Sequence, residues 1–421
     1  MTGKSHESFR SRLIPMRGRD PHEEGRVATP LELLFDLIFA VAVGTCAASF
    51  AEMAASGHLG KGVAAFLFAM FAVCIAWINF TWFASAFDTD DWLYRVLTML
   101  TMVGVVVFAL GLRPMFHSVE EGHHVDTKLM VIGYVVMRVP LAVHWWRAAQ
   151  QSQRFRTVAL RNIRWMLVVQ IGWVIFAFVP MSLPVTVVIG GCLGVGELLI
   201  PVLAQGGANG TPWHPEHIAE RYSALAIITL GEGIVGTIAS SQGLLGGASG
   251  DTWSGNAIAV VIAGIGLTFG MWWVYFMMPF GSFLQHRPTY GYLFGYGHIV
   301  VFMAIAGTGA GLHILGLFLE GESQLSEAGA VTLLAVPVAV YLAGIYLLHD
   351  VLMDRLDKVH LVNLTVTAVL LVAAVALAGG GAPIWISLLL TMCAPFVTVV
   401  AYEGGVHRRQ EEQLRRLAEH S

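Results

Sequence analysis

The side chains most able to do chemistry in this sequence are a few ionisable residues that interrupt long apolar segments. In such surroundings carboxylates and a histidine can take up and release protons, while arginines can pair with them or bind an anionic group. The residues of this kind are Asp36, Arg138, Glu197, Arg221, Glu232 and His298. The acids outnumber the arginines, and an unpaired carboxylate is what a proton or cation relay requires. We therefore predict that these residues line the pathway of a substrate or an ion.

Counting along the predicted helices at about 1.5 Å per residue places these residues at two levels of a membrane. The level within about 10 Å of one face contains Asp36, Glu197, Arg221 and His298. Arg138 and Glu232 lie about 12–13 Å from the opposite face, and their similar depth predicts that they pair. The alternative is that these charges only hold helices together and that the histidine is a hydrogen-bonded packing residue.

The elements that must position these residues are membrane-spanning helices. The chain has 421 residues, of which 56% are hydrophobic and 12% are charged, and its mean hydropathy is +0.69. Soluble proteins carry about 25% charged residues, so the composition indicates an all-α polytopic integral membrane protein. Apolar blocks of about 20 residues, the length of one span, predict twelve helices near 31–51, 63–87, 93–112, 129–147, 163–180, 183–204, 217–240, 257–280, 292–317, 329–353, 359–378 and 383–403.

The basic residues predict the orientation of these spans, because short cytoplasmic loops are enriched in lysine and arginine. Most of the 24 lie in the two tails and in the loops on the same side, which predicts cytoplasmic N- and C-termini. We divide the chain into a basic cytoplasmic tail at 1–29, a transmembrane helical domain at 30–403 and a charged cytoplasmic tail at 404–421. No loop is long enough for a soluble domain, and a net charge of −4 gives no nucleic-acid footprint. Val-Gly-Thr recurs at 43–45 and 235–237, which favours a weak 6+6 repeat.

Polar residues near the helix ends have two interpretations each. Glu32 fits a capping box with Thr29, with proline at the first helical position between them, and it could equally form part of a gate. The acidic run before the third span either caps that helix or latches onto a nearby basic group. The residues involved are Asp88, Asp90, Asp91 and Arg95.

Catalytic and metal-binding signals are weak. His214 and His217 have an H-x-x-H spacing with Glu220 close by, but without a further ligand they make a poor zinc site, and helix-entry chemistry explains them equally well. The sequence contains no H-E-x-x-H, G-x-S-x-G or G-x-x-x-x-G-K-[ST] motif, so common metalloprotease, hydrolase and nucleotide-binding signals are missing. We predict no metal and cannot assign a cofactor.

Several of these residues lie in stretches that together resemble the bacterial low temperature requirement protein A (LtrA-like) family. The first, at 29–39, is similar to the family's E-L-F-F-D-L-V-F element, and the most specific runs from 217–222 to 230–234. Further matches lie at 81–83, 87–95, 197–201 and 296–298. Gly233 stands where a serine is expected and Leu34 replaces an aromatic residue. The resemblance implies a multi-pass protein of the bacterial cytoplasmic membrane, but no settled biochemical activity.

The surplus of buried carboxylates, without any energy-supplying domain, favours a secondary transporter or permease. We expect a small solute or ion to move with protons or cations, in contact with the lipid bilayer and without nucleic acid; a homo-oligomer is compatible with the sequence. One alternative is an integral-membrane enzyme acting on a lipid-type substrate. The other is a non-catalytic membrane scaffold whose charges serve packing or assembly.

Overall fold

The computed structural model describes residues 13–122, 125–181, 183–205, 210–245, 255–354 and 357–406. All regular secondary structure within these ranges is helical. The α-helices are α1 (Pro30–Ala55), α2 (Leu59–Phe87), α3 (Trp92–Glu121), α4 (Lys128–Gln151), α5 (Arg156–Phe178), α6 (Leu183–Gln205), α7 (Pro215–Leu245), α8 (Gly255–Phe276), α9 (Phe280–His286), α10 (Gly291–Leu319), α11 (Glu327–Met353), α12 (Lys358–Gly379) and α13 (Ile384–Ala401). A 3-10 turn lies at Pro288–Tyr290 and a π-helical turn at Tyr402–Val406.

Twelve segments in the described part of the chain are long and apolar enough to cross a membrane, which confirms the predicted number of spans. Each predicted span overlaps one of them. The largest difference concerns the third, which was predicted to end near 112 and ends at Glu121. The eighth extends to His286 because the short helix α9 continues its apolar segment. The ends of several helices also extend beyond the apolar blocks, since polar first and last turns add no hydropathy.

Local sequence explains where several helices begin and end. Thr29 and Glu32 form the predicted capping box of α1, in which each side chain accepts a hydrogen bond from the other's backbone N–H. Ser326 caps α11 and Asp357 caps α12 in the same general way, each accepting from a backbone N–H of the first turn. At the other end of α3, Gly122 adopts a left-handed conformation with φ of +79°, which glycine reaches without strain.

The helix α10 lies at the centre of the bundle, where most of its residues are buried. It packs against α1, α7 and α11. Neighbouring helices in the first half pair as α1–α2, α1–α3, α3–α4, α4–α5 and α5–α6. The second half repeats this order as α7–α8, α7–α10, α10–α11, α11–α12 and α12–α13. The recurrence agrees with the 6+6 repeat, which stays a prediction.

Small residues allow the closest helix contacts. A Cβ atom added to Gly104 of α3 would lie 2.6 Å from the backbone nitrogen of Met137 in α4, and one added to Gly111 would lie 2.5 Å from that of Met130. These backbones can approach only because the glycines lack side chains. In a membrane, where lipid is as apolar as the helices, such packing replaces the hydrophobic drive to associate.

Candidate functional site

A fully buried ion-pair cluster joins α1 to α7. Arg221 of α7 lies with Nη2 2.5 Å from Oδ1 of Asp36, and its Nε donates to Oδ2 of the same carboxylate at 3.2 Å. Its Nη1 lies 2.8 Å from Oε1 of Glu32. Trp77 of α2 also donates its indole N–H to Oδ1 of Asp36 at 2.6 Å. Asp36 and Arg221, which the sequence places at one level of the membrane, are therefore in direct contact.

Helical spacing builds this cluster from two interlocking pairs. Glu32 and Asp36 lie one turn apart on α1, as His217 and Arg221 do on α7, so each pair presents both side chains on one face. The Nε2 atom of His217 lies 3.2 Å from Oε2 of Glu32. Glu32 thus caps its own helix and also pairs with α7. Two carboxylates face a single arginine here, so the cluster retains one negative charge unless the histidine is protonated.

The second buried ion pair corrects the sequence prediction. Arg138 of α4 pairs with Glu197 of α6, and the same nitrogen of Arg138 contacts the Tyr134 hydroxyl one turn earlier. Trp173 of α5 donates its indole N–H to Oε1 of Glu197 at 3.1 Å. The predicted pairing of Arg138 with Glu232 is wrong, and Glu197 does not join the cluster of Arg221. Depth along a helix says nothing about lateral position, and α4 packs against α3 and α5 while α7 packs against α1, α8 and α10.

A small cavity of about 40 Å³ with both polar and apolar lining residues adjoins this second pair. Its lining includes Asn79, Trp82, Arg138, Asn162, Tyr292 and Tyr296. The Nε atom of Arg138 and the amide nitrogen of Asn79 are buried without a hydrogen-bond partner among the described residues. These unused donors suit an acceptor-rich group, such as a carboxylate or phosphate. The sequence analysis did not single out Asn79 or Asn162, because it selected charged residues within apolar segments and an amide is neutral.

Glu232 occupies a different position, at the seam of α1, α7 and α10. Its side chain is half-buried, and a Cβ atom added to Gly44 of α1 would lie 2.5 Å from Oε1 of Glu232. One added to Gly309 of α10 would lie 2.7 Å from Cβ of Glu232. Within the described residues, no side chain forms an ion pair or hydrogen bond with this carboxyl group. Glu232 lies about 26 Å along α7 from its start and about 14 Å from Ser241, where the apolar span ends, so it lies well inside the membrane.

His298 on α10 matches the packing interpretation. Its Nδ1 lies 2.8 Å from the backbone oxygen of Phe294, and its Nε2 lies 3.1 Å from the hydroxyl of Tyr275. The ring also packs edge-on against Tyr222, which in turn contacts Trp77. Both ring nitrogens are occupied, and aromatic rings separate His298 from the carboxylates of the ion-pair clusters.

The acidic run between α2 and α3 combines both of its predicted roles. Asp91 caps α3 by accepting from the Tyr94 N–H at 3.0 Å, and it pairs with Arg147 of α4. Asp90 pairs with Arg95 at 2.7 Å on the surface. Burial works against the charge of Asp91, but hydrogen bonds from Arg147 and from backbone N–H groups outweigh it and lower its pKa to about 2. Capping and latching are therefore two properties of one segment.

The weak metal candidates before and within α7 do not converge on a common point. His214 accepts from the backbone N–H of His217 at Nδ1, and its Nε2 lies 2.9 Å from the backbone oxygen of Glu23. Glu220 accepts a hydrogen bond from the Ala28 N–H at 3.0 Å. These contacts tie the segment before α1 to α7 and favour helix-entry chemistry over metal binding.

The stretches that carry the candidate residues also decide the family. A family model described as bacterial low temperature requirement A protein (LtrA) matches residues 27–395. The chain belongs to this family. The match covers α1 to most of α13 and so includes both ion pairs, the cavity and Glu232. An uncharacterized protein of Rhizobium meliloti is similar to this LtrA protein, with 25% identity over 295 residues, which cover 66% of this chain and 67% of the relative.

Proposed function

We propose that this LtrA protein is a secondary transporter of a small solute with an anionic group, coupled to protons through intramembrane carboxylates, in the cytoplasmic membrane of a bacterium. Glu232 would carry the coupling proton, and Arg138 with its cavity would receive the solute. The observation that carries this proposal is the position of Glu232, a half-buried carboxyl group inside the membrane span without an ionic partner among the described residues.

The surroundings of Glu232 support a proton carrier. A charge at the centre of a bilayer costs about 2.5–3.5 kcal/mol on insertion scales, so an unpaired carboxyl group there favours its neutral form. Gly44 leaves room for the carboxyl group beside α1, and Gly309 lets α10 approach the backbone of Glu232. A change in the packing of α1 against α7 would alter its access to water, and with it the balance between the protonated and ionised forms.

The cavity beside Arg138 supports a solute site that opens during transport. Its volume of about 40 Å³ is far below the roughly 300–1,000 Å³ of typical small-molecule pockets. A solute therefore requires a wider state, as expected for alternating access between two halves of a transporter. An anionic group that binds the free Nε of Arg138 would share the charge of Arg138 with Glu197, so the two acceptors would compete for one guanidinium.

The cluster around Arg221 supports a different role, as a fixed joint between α1 and α7. Its guanidinium is fully buried and is shared by two carboxylates and the Trp77 ring face. Because two carboxylates already face this guanidinium, it is poorly suited to receive an anionic solute. It would hold one end of the α1–α7 pair while the region around Glu232 adjusts.

Lipid chemistry is the less well supported alternative. An apolar groove of about 410 Å³ lies between α2 and α6 and is lined by Phe68, Phe71, Phe176, Val187 and Gly194 among others. A lipid tail would fit this groove. None of its lining residues is ionisable, so it offers no general acid or base at that place.

The proposal is tested in proteoliposomes that contain a pH-sensitive dye. An inward proton gradient is applied while small carboxylates, inorganic phosphate and inorganic cations are offered one at a time. We expect one class of solute to speed the dissipation of the gradient, and we expect Glu232→Gln to abolish this effect. Glu121→Gln, at the exposed outer end of α3, is the matched control. Equal proton flux in the Glu232 variant and the control would remove Glu232 from the coupling mechanism.

A further inference from the structure

Three metal-binding side chains meet where α11 ends and α12 begins. His349 and Asp350 lie in the last turns of α11, and His360 lies in the first turn of α12. All three are buried, with 6%, 8% and 5% of their surfaces exposed. One ligand atom from each residue lies within 4.8 Å of the other two. No other group of three histidine, cysteine, aspartate or glutamate residues converges in this way within the described part of the chain.

The three side chains converge on one carboxylate oxygen. Oδ1 of Asp350 lies 2.5 Å from Nδ1 of His360 and 3.4 Å from Nδ1 of His349. The two imidazole rings are nearly perpendicular, with centroids 4.8 Å apart. The sequence hides this arrangement, because the third residue follows the second only after ten positions and a change of helix.

Neighbouring residues fix the two imidazole rings. Tyr346 stacks on His360 with ring centroids 4.3 Å apart, and Phe283 of α9 packs edge-on against His349 at 5.5 Å. The hydroxyl of Tyr346 donates to Thr398 of α13 at 2.8 Å and accepts from the amide of Asn363 at 3.1 Å. The ring orientations are therefore held by α9, α12 and α13, as an outer shell holds metal ligands.

We propose that His349, Asp350 and His360 bind one divalent transition-metal ion of the zinc class. Two imidazoles and one carboxylate are ligands that Zn²⁺ and its neighbours accept, whereas Mg²⁺ and Ca²⁺ prefer sites made of oxygen atoms. Metal–ligand bonds of about 2.0–2.2 Å place adjacent ligand atoms about 3–3.5 Å apart. Binding then requires Oδ1 of Asp350 and Nδ1 of His360 to separate by about 1 Å, and the ligand atoms that lie up to 4.8 Å apart to move closer by a little over 1 Å.

Three protein ligands leave one position of a tetrahedral ion open to water or another group, which is the arrangement of exchangeable and catalytic zinc sites rather than closed structural ones. The ion would bridge the end of α11 to the start of α12. This site is independent of Glu232 and of the cavity beside Arg138, so it can be present whether or not the transport proposal holds.

The test uses untagged full-length protein in detergent, stripped with EDTA and then titrated with Zn²⁺ in a calorimeter. Thermal unfolding is recorded with Zn²⁺, with Mg²⁺ and without added metal. We expect one tight Zn²⁺ site per chain and a higher unfolding midpoint with Zn²⁺ than with Mg²⁺, because a ligand that binds the folded state stabilises it. His349→Ala, Asp350→Asn and His360→Ala are each expected to weaken Zn²⁺ binding at this site by at least about tenfold.

His117→Ala is the matched control, since His117 is an exposed histidine with two glutamates in reach at the outer end of α3. It should retain the tight site. A wild-type protein without a tight Zn²⁺ site, or triad variants that bind like the control, would overturn the proposal. If a variant fails to fold, Co²⁺ binding to the wild-type protein tests the site instead. Co²⁺ bound by two imidazoles should produce visible absorption bands, and added Zn²⁺ should remove them by competition. Lack of those bands also overturns the proposal.

Discussion

Nη2 of Arg221 lies 2.5 Å from Oδ1 of Asp36, and both side chains are fully buried between α1 and α7. The same guanidinium reaches Glu32 one turn away, so a single cation ties down two carboxylates of one helix. The contact connects the first helix of one half of the chain to the first helix of the other half. Loss of this contact should therefore lower the stability of the whole bundle.

Removing Arg221 tests this joint. Arg221→Met leaves two buried carboxylates without their cation, which costs about 3–5 kcal/mol of stability when one partner of a buried pair is lost. Arg95→Met removes an exposed partner of Asp90 and should cost about 0–1 kcal/mol. Thermal unfolding in detergent measures both variants. Similar unfolding midpoints for the two would contradict the structural role of Arg221.

Gly44→Ala tests the space around Glu232. The added Cβ would lie 2.5 Å from Oε1 of Glu232, so the carboxyl group must move. We expect proton-driven transport to fall several-fold while the protein remains folded. Gly60→Ala is the control, because a Cβ at that position meets nothing within 4 Å. Transport rates in proteoliposomes that do not differ between the two variants would argue against the placement of the coupling group at this seam.

Glu197→Gln tests the competition for Arg138. If an anionic solute must displace the Glu197 carboxylate, a neutral glutamine should make the displacement easier. A hydrogen bond to a charged group is worth about 1.5–3 kcal/mol, so the KM of an anionic solute should fall by about tenfold or more. The KM is measured as uptake against solute concentration. An unchanged or raised KM in folded protein would show that the solute does not compete with Glu197.

Asp88 predicts a pH dependence of stability outside the membrane spans. Burial raises its pKa to about 7, with Glu32 adding to the effect, while the Asp90 N–H and Arg19 oppose it. The unfolded value is about 3.9, so between about pH 4 and 7 the folded state binds more protons than the unfolded state. Stability contributed by this group therefore falls as pH rises through that window.

Asp88→Asn removes the titration and should make stability less dependent on pH between about 4 and 7, with a gain at pH 8. Asp90→Asn is the control, because Asp90 is exposed and asparagine tolerates its left-handed φ of 46°. Unfolding midpoints are recorded from pH 4 to 8. The assignment fails if the slope of the Asp88 variant equals that of the wild type.

Hydropathy predicted the helices of the described chain well, because each span must bury a long apolar segment and the polar caps mark the ends. Counting depth along the helices also placed Asp36 and Arg221 at one level, where the structure brings them into contact. It failed for Arg138, because the choice between Glu197 and Glu232 depends on which helices are neighbours. Two further features arise from packing between several helices, which periodicity within one helix cannot reveal. They are the cavity lined by Asn79 and Asn162 and the cluster of His349 with His360.

The central claim is that Glu232 couples protons to solute movement, and solute counterflow compared with proton-driven accumulation tests it most directly. Both are measured in proteoliposomes with the same solute, for the wild type, Glu232→Gln and the Glu121→Gln control. The account predicts that Glu232→Gln still exchanges solute across the membrane but no longer accumulates it when a proton gradient is imposed. If Glu232→Gln accumulates solute as well as the control does, the coupling role is contradicted. It is also contradicted if a folded Glu232→Gln protein loses both exchange and accumulation.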